Sequence, residues 1–124
     1  MISDYFREIE ALINSLPIIL SSNFQFEVVD MDRGFLKISL VLLDSSQISI
    51  FEYVEIKNKP VVEKYRYHWQ NKNSQLIKRW DNAPHHQDIE TFPHHLHDSG
   101  GVKPHAQPTI KQVIDVISKE MGWH

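Results

Sequence analysis

Hydrophobic residues recur with a helical period at both ends of the chain. The two apolar stripes consist of Tyr5, Ile9, Leu12, Ile13 and Leu16 near the start, and of Ile110, Val113, Ile114, Ile117 and Met121 near the end. Spacings of three and four residues place such side chains on one face of a helix. We therefore predict amphipathic helices over residues 3–16 and 109–121, with Ser3 as N-cap of the first and with Pro108 and Thr109 opening the second.

Between these helices, five segments carry the pattern of β-strands, at residues 24–28, 35–43, 48–54, 64–70 and 75–81. Four of them alternate apolar and polar positions, and the run at 35–43 is apolar almost throughout, which is typical of a strand covered on both faces. The change from period 3.6 to period 2 and back predicts an α+β fold. We expect one antiparallel five-stranded sheet, flanked by the two helices.

Residues 82–107 follow neither period and contain Pro84, Pro93, Pro104 and the Gly100–Gly101 pair. A loop of this length without secondary structure is usually functional or disordered. Because apolar residues are interspersed with the prolines, we expect a long, ordered loop rich in histidine and proline.

Composition narrows the class of protein. At 124 residues, we expect a single domain spanning 1–124. The absence of cysteine excludes disulfides, thiolate catalysis and zinc sites built on cysteine. No apolar run approaches the ~20 residues that span a bilayer, and the N-terminus carries acids where a signal peptide carries basic residues. We expect a cytoplasmic protein with no membrane partner.

Charge is distributed unevenly along the chain. The net charge is −3, yet residues 57–80 hold seven basic residues against one acid, a local balance of +6. Such a concentration of positive charge could attract a polyanion to this part of the protein. Alternatively, these lysines and arginines form the solvent-exposed face of strands and keep the protein soluble.

The predicted hairpin at residues 64–81 carries this charge together with aromatic residues. Alternation places Tyr65, Tyr67 and Trp69 on one face of its first strand, and in the second strand it places Lys78 and Trp80 opposite Arg79 and Asp81. An aromatic and basic hairpin can stack bases and pair phosphates. The candidate nucleic-acid-binding residues are Lys64, Tyr65, Arg66, Tyr67, His68 and Lys78.

Five of the eight histidines lie between Arg79 and His97, in two clusters that each follow a proline. Proline stiffens the backbone and disfavours helix before it, so both clusters are expected on extended backbone. Histidine transfers protons near neutral pH and also binds metals. The candidate catalytic residues are Arg79, Asp81, His85, His86, His94, His95 and His97.

Three interpretations of this stretch stay open. Paired histidines with an arginine can cleave RNA, one ring acting as base, another as acid and the arginine holding phosphate. Alternatively, His95 and His97 point to the same side of an extended segment and could bind a metal with His85 or His86, with Asp81 or Asp98 supplying oxygen. The third interpretation is a binding protein with structural histidines. Because no standard ligand spacing occurs, we expect no cofactor and no obligatory metal ion.

Three blocks of the sequence resemble the TumE-like family of small bacterial and archaeal proteins. The blocks are Tyr65-Arg-Tyr-His-Trp-Gln, Arg79-Trp-Asp-Asn-Ala-Pro-His-His and Thr91-Phe-Pro-His-His-Leu-His. The positions shared with the family are Tyr65, Tyr67, Arg79, Asp81, Asn82, Pro84, His85, His86, Phe92, Pro93, His94, His95 and His97.

This resemblance implies a toxin of a type II toxin–antitoxin pair, whose partner is a helix-turn-helix antitoxin. Combined with the histidines, it favours a toxin that acts on RNA as a metal-independent endoribonuclease. The alternatives are a non-catalytic binding protein and a metal-dependent hydrolase using histidine and aspartate. The oligomeric state and the assignment of acid and base among the histidines stay open.

Overall fold

The structure, a computed structural model, describes residues 1–123. It contains two helices and seven strands. The helices are α1 (Ile2–Asn14) and α2 (Ile110–Glu120), and the strands are β1 (Ile19–Asp30), β2 (Arg33–Leu42), β3 (Gln47–Lys57), β4 (Lys59–Gln70), β5 (Leu76–Asp81), β6 (His95–Asp98) and β7 (Gly101–Pro104).

The seven strands form one antiparallel sheet in which every strand pairs with its neighbours in sequence. The prediction of an α+β fold with an antiparallel sheet and two helices is confirmed. The predicted number of five strands is wrong, because β6 and β7 form a further hairpin within residues 82–107. The long loop expected there is therefore reduced to the segment 82–94, which connects β5 to β6, and a short connection before α2.

The core lies between the sheet and the two helices. Alternate residues of β2 (Leu36, Ile38 and Leu40) are buried on this side, while Lys37 and Ser39 between them are exposed. The expectation that residues 35–43 are covered on both faces is thus wrong. We call the covered side the helix face and the other side the open face.

The two helices differ in how they begin. Thr109 caps α2 as expected, since its side chain accepts a hydrogen bond from the Gln112 amide 3.1 Å away. The cap of α1 is Met1 rather than the predicted Ser3. Within residues 1–123, no helix has the length and apolar character needed to cross a bilayer.

Candidate functional site

The open face of β4, β5 and β6 carries a set of charged and imidazole side chains in two rows. Arg66 pairs across the strands with Asp81, and Asp81 pairs with His95. In the next row Arg79 pairs with His97. Residues that are directly opposite in a sheet share a face, so this register brings side chains that are distant in sequence together.

Asp81 lies at the centre of this set and is buried. Its Oδ1 is 2.8 Å from His95 Nε2, and its Oδ2 is 3.3 Å from both His97 Nε2 and Arg79 Nε. The Ala83 amide also donates a hydrogen bond of 3.0 Å to Oδ1. Both carboxylate oxygens are therefore fixed by groups that carry positive charge or donate hydrogen bonds, which offsets the cost of burying the carboxylate.

Three imidazole rings gather beside this carboxylate. Ring centroids lie 4.7 Å apart for His95 and His97, 5.0 Å for His86 and His95, and 5.7 Å for His86 and His97. His95 and His97 extend from β6, whereas His86 reaches the same point from the segment 82–94. We refer to His86, His95 and His97 as the histidine cluster.

The members of this cluster differ in how their nitrogens are used. His95 is buried, and its Nδ1 lies 2.9 Å from the Pro93 carbonyl while its Nε2 faces Asp81. Both nitrogens of His95 thus face oxygen acceptors. Burial lowers the pKa of His97 and the Arg79 guanidinium lowers it further, while Asp81 raises it. The neutral form of His97 is favoured by these surroundings.

The cluster opens into a cavity of about 1000 Å³ on the open face. The segment 82–94 forms one wall, and Phe51 and Phe92 add apolar surface. Lys37, Lys64 and Arg66 also line the cavity, and all three are exposed. We call this cavity the histidine pocket; it combines proton-transfer groups with a basic rim.

Two of the predicted catalytic histidines lie outside the cluster. His85 lines the pocket but is exposed. His94 turns away, since its Nδ1 lies 2.9 Å from the Tyr65 hydroxyl and its ring stacks on Tyr65. Burial lowers the pKa of His94, and the neighbouring His95 lowers it further. His94 therefore has a partner within the fold rather than a place at the pocket.

The structure separates the predicted nucleic-acid-binding residues. Tyr65 and Tyr67 are buried on the helix face, so neither ring is exposed for stacking on a base in this structure. Lys78 lies on the helix face too, where it forms an ion pair with Glu120 of α2. Lys78 and Arg79 thus lie on different faces of the sheet, as the alternation of their strand predicts.

Lys64, Arg66 and His68 remain on the open face. The His68 Nε2 is 3.1 Å from Gln70 Oε1, and His68 is not among the residues that line the pocket. Burial lowers the pKa of His68, and the positive charges of Arg79 and Arg66 lower it as well, against the effect of the Gln70 hydrogen bond.

Sequence reasoning missed several residues of the pocket. Lys37 and Phe51 face each other across β2 and β3 on the open face, next to Arg66. Phe51 occupies a polar position in the alternation of its strand, and an aromatic residue at such a position could have indicated a binding surface. Asn82 was missed as a structural residue; its side chain joins the segment 82–94 to β4 through Glu63 O at 2.9 Å and the Tyr65 amide at 3.1 Å.

The fold and the pocket define a class: a small α+β protein with a histidine, aspartate and arginine site on the free face of an antiparallel sheet. The family model described as Toxin TumE matches residues 9–122, which is nearly the whole chain. The chain belongs to the TumE toxin family, and the resemblance found in the sequence is confirmed. Family membership identifies a toxin of a toxin–antitoxin system and implies an antitoxin as partner. No curated protein and no solved structure matches the chain.

Proposed function

We propose that this toxin acts on RNA, as a metal-independent endoribonuclease whose proton transfers are made by histidines of the pocket. The observation that carries the proposal is the cluster of His86, His95 and His97, two of which contact Asp81, in an open cavity that also contains Arg79 and has a basic rim. Acid, base and phosphate-binding groups are the parts that cleavage of a phosphodiester by its own 2′-hydroxyl requires.

In the proposed reaction, the 2′-oxygen attacks the adjacent phosphorus while its proton passes to one imidazole. The bond from phosphorus to the 5′-oxygen breaks, and the leaving oxygen takes a proton from a second imidazole. The products are a 2′,3′-cyclic phosphate and a 5′-hydroxyl. This reaction requires no oxidant, cofactor or metal ion.

His86 and His97 are the best pair for these transfers. His95 already faces acceptors at both nitrogens, so we assign to His95 and Asp81 the positioning of the other rings. His97 contacts Asp81 through Nε2 at 3.3 Å, which orients the ring with its other nitrogen directed away from the carboxylate. His86 reaches the cluster from the opposite wall, and two separate rings are what an acid and a base need.

Arg79 is the proposed phosphate ligand within the pocket. Its Nε is buried and has no hydrogen-bond partner of good geometry among residues 1–123, although Asp81 Oδ2 lies 3.3 Å away. The Arg79 side chain lines the pocket and is about one-third exposed, so the guanidinium can pair with a phosphate oxygen there. Lys64 and Arg66 would then hold the flanking phosphates at the rim.

Induced expression in a host, with growth and total RNA followed together, tests this function. We expect growth arrest together with RNA cleavage, and cleavage by purified protein that persists in EDTA. Changing His86 or His97 to alanine should lower the cleavage rate by about 10²–10⁴. His105→Ala is the matched control, since His105 lies outside the pocket lining and bonds the Ala106 carbonyl.

Three results would contradict the proposal. They are full activity in both histidine variants, loss of activity that tracks loss of folded protein in a thermal melt, and binding of RNA without cleavage. The last of these would identify a binding protein. We further propose that the antitoxin is a helix-turn-helix protein encoded beside the toxin and that the toxin acts in the cytoplasm; co-expression of that neighbour should restore growth and intact RNA.

A further inference from the structure

The histidine cluster has a second property that proton transfer does not require. One nitrogen from each of His86, His95 and His97 can be chosen so that all three lie within 4.8 Å of one another. None of the three is fully exposed, and His95 is buried. Convergence of three imidazole nitrogens at such separations is the arrangement from which a metal centre is built.

We propose that His86, His95 and His97 bind one divalent transition-metal ion, with Asp81 as the fourth ligand and Zn²⁺ as the best-fitting ion. Neighbouring ligand atoms of a tetrahedral zinc ion lie about 3.3 Å apart, because each is about 2.0 Å from the metal. Asp81 Oδ1 is 2.8 Å from His95 Nε2, and Asp81 Oδ2 is 3.3 Å from His97 Nε2. Asp81 thus contacts two of the rings, each through a different oxygen, and its Oδ2 lies at the ligand spacing from His97 Nε2.

The surroundings of these side chains support the same assignment. Metal-binding imidazoles commonly donate their other ring N–H to a carbonyl or carboxylate, which orients the ring. His95 has this contact through Nδ1 to the Pro93 carbonyl at 2.9 Å. Asp81 is held by the Ala83 amide at 3.0 Å. Two of the four proposed ligands are therefore oriented before an ion arrives.

The positive charge of the Arg79 guanidinium, which lies 3.3 Å from Asp81 Oδ2, opposes the binding of a divalent cation at this site.

Nitrogen-rich sites without cysteine favour zinc, copper and nickel over magnesium or calcium, which prefer oxygen ligands. We therefore expect tight binding of Zn²⁺ or Ni²⁺, and no measurable competition from Mg²⁺.

The proposal is tested by titrating Zn²⁺ into untagged full-length protein that has been dialysed against a chelator. Competition with a chromogenic zinc indicator gives affinity and stoichiometry, and we expect one ion per chain. His86→Gln and His97→Gln should each lower the Zn²⁺ affinity by at least about tenfold. Mutating a residue that only supports a metal ligand already costs about 10–100-fold in affinity, so removing a ligand should cost no less. His105→Gln is the control and should bind as the unchanged protein does.

Because His95 is buried, its replacement could unfold the chain, so the test uses His86 and His97, and the metal-free melting temperature of each variant is measured. Equal Zn²⁺ affinity in the unchanged protein and in folded His86→Gln would overturn the proposal. So would the absence of any Zn²⁺ binding by the unchanged protein.

Occupancy of the site has a consequence that rests on the proposed function. A ring nitrogen bound to a metal cannot exchange a proton, so saturating Zn²⁺ should suppress the EDTA-resistant RNA cleavage, and added EDTA should restore it. The binding titration contains no RNA, so failure of metal binding and failure of RNA cleavage are recognised separately.

Discussion

Asp81 and Glu52 are buried carboxylates on opposite faces of the same sheet, and their partners differ in kind. Asp81 faces two histidines and an arginine on the open face. Glu52 lies against the Tyr5 and Tyr67 hydroxyls, which both donate hydrogen bonds to it. Burial raises the pKa of Glu52, and the two hydrogen bonds oppose this effect without cancelling it. An arginine and two imidazoles thus accompany the carboxylate of the proposed site, and two phenols accompany the one in the core.

Replacing Glu52 by glutamine should stabilise the protein at neutral pH. The pKa of Glu52 is higher in the folded state than its ordinary value of 4.5 in the unfolded chain. Above pH 4.5 the folded state therefore binds more protons than the unfolded state, so the stability of the fold decreases as the pH rises. Glutamine keeps the shape without the charge; its oxygen can accept a hydrogen bond from one tyrosine hydroxyl, and its amide N–H can donate to the other. We expect the melting temperature to rise by a few degrees at pH 7 and to be nearly unchanged at pH 4.

Thermal melts followed by circular dichroism at both pH values give this comparison. Glu8→Gln, at an exposed position of α1, is the control and should alter the melting temperature little. A gain from Glu52→Gln that is the same at pH 4 and pH 7 would show that its cause is packing rather than ionisation.

At the scale of elements, α1 packs closely against the hairpin of β1 and β2 at Gly34. A Cβ atom added to Gly34 would lie 2.5 Å from the Glu27 carbonyl oxygen and 2.9 Å from Phe6 Cζ. The first of these is backbone of the neighbouring strand and cannot move aside without disturbing the pairing. Glycine is required here by the close approach of the elements.

Gly34→Ala should therefore destabilise the fold by about 1–3 kcal/mol, the usual cost of overpacking a core. Urea denaturation gives the free energy of unfolding. Gly100→Ala is the matched control, because its added Cβ would meet only the side chains of Asp98 and Lys103, whose ends can move. Equal losses of stability in the two variants would contradict the close packing at Gly34.

Over the whole molecule, the sheet divides the basic residues of the middle of the chain between its two faces. Lys78 pairs with Glu120 on the helix face, and Lys57 forms an ion pair of 2.9 Å with Glu63. Lys64 and Arg66 remain at the rim of the histidine pocket. The local excess of charge is therefore smaller at the pocket than the count over residues 57–80 indicates.

Reversing Lys64 and Arg66 together to glutamate should weaken binding of single-stranded RNA about tenfold or more and should reduce its dependence on salt, since each lost phosphate contact lowers the salt slope by about 0.7. Fluorescence anisotropy over a salt series measures both quantities. Lys111→Glu with Lys119→Glu, on α2, changes the net charge equally. The same weakening in both double variants would show that net charge, rather than the rim of the pocket, attracts the RNA.

Much of the fold could be predicted because its signals are local. The helical stripes and the alternation in β1 to β5 arise from one buried face per element, and this requirement appears directly in the order of residues. Alternation also placed Lys78 on the side of Trp80, away from Arg79. The count of charges over residues 57–80 grouped Lys78 with Arg79. The structure places the two on different faces of the sheet, as the alternation predicts.

The hairpin of β6 and β7 could not be predicted in this way. Each of its strands has only four residues, and β6 carries a single aliphatic residue, Leu96, which pairs with Trp80 of β5. A strand this short is held mainly by pairing with its neighbour, and pairing leaves no period in the sequence.

The sequence by itself determined the α+β class, the antiparallel sheet of the first five strands and the concentration of histidines near Arg79 and Asp81. Only the tertiary structure decided which of those histidines meet: His86 joins His95 and His97, while His94 bonds to Tyr65. The physical reason is that burial repeats along the chain with a local period. Contact between rings depends instead on the register of β5 with β6 and on the hydrogen bonds, such as those of Asn82, that set the course of the segment 82–94.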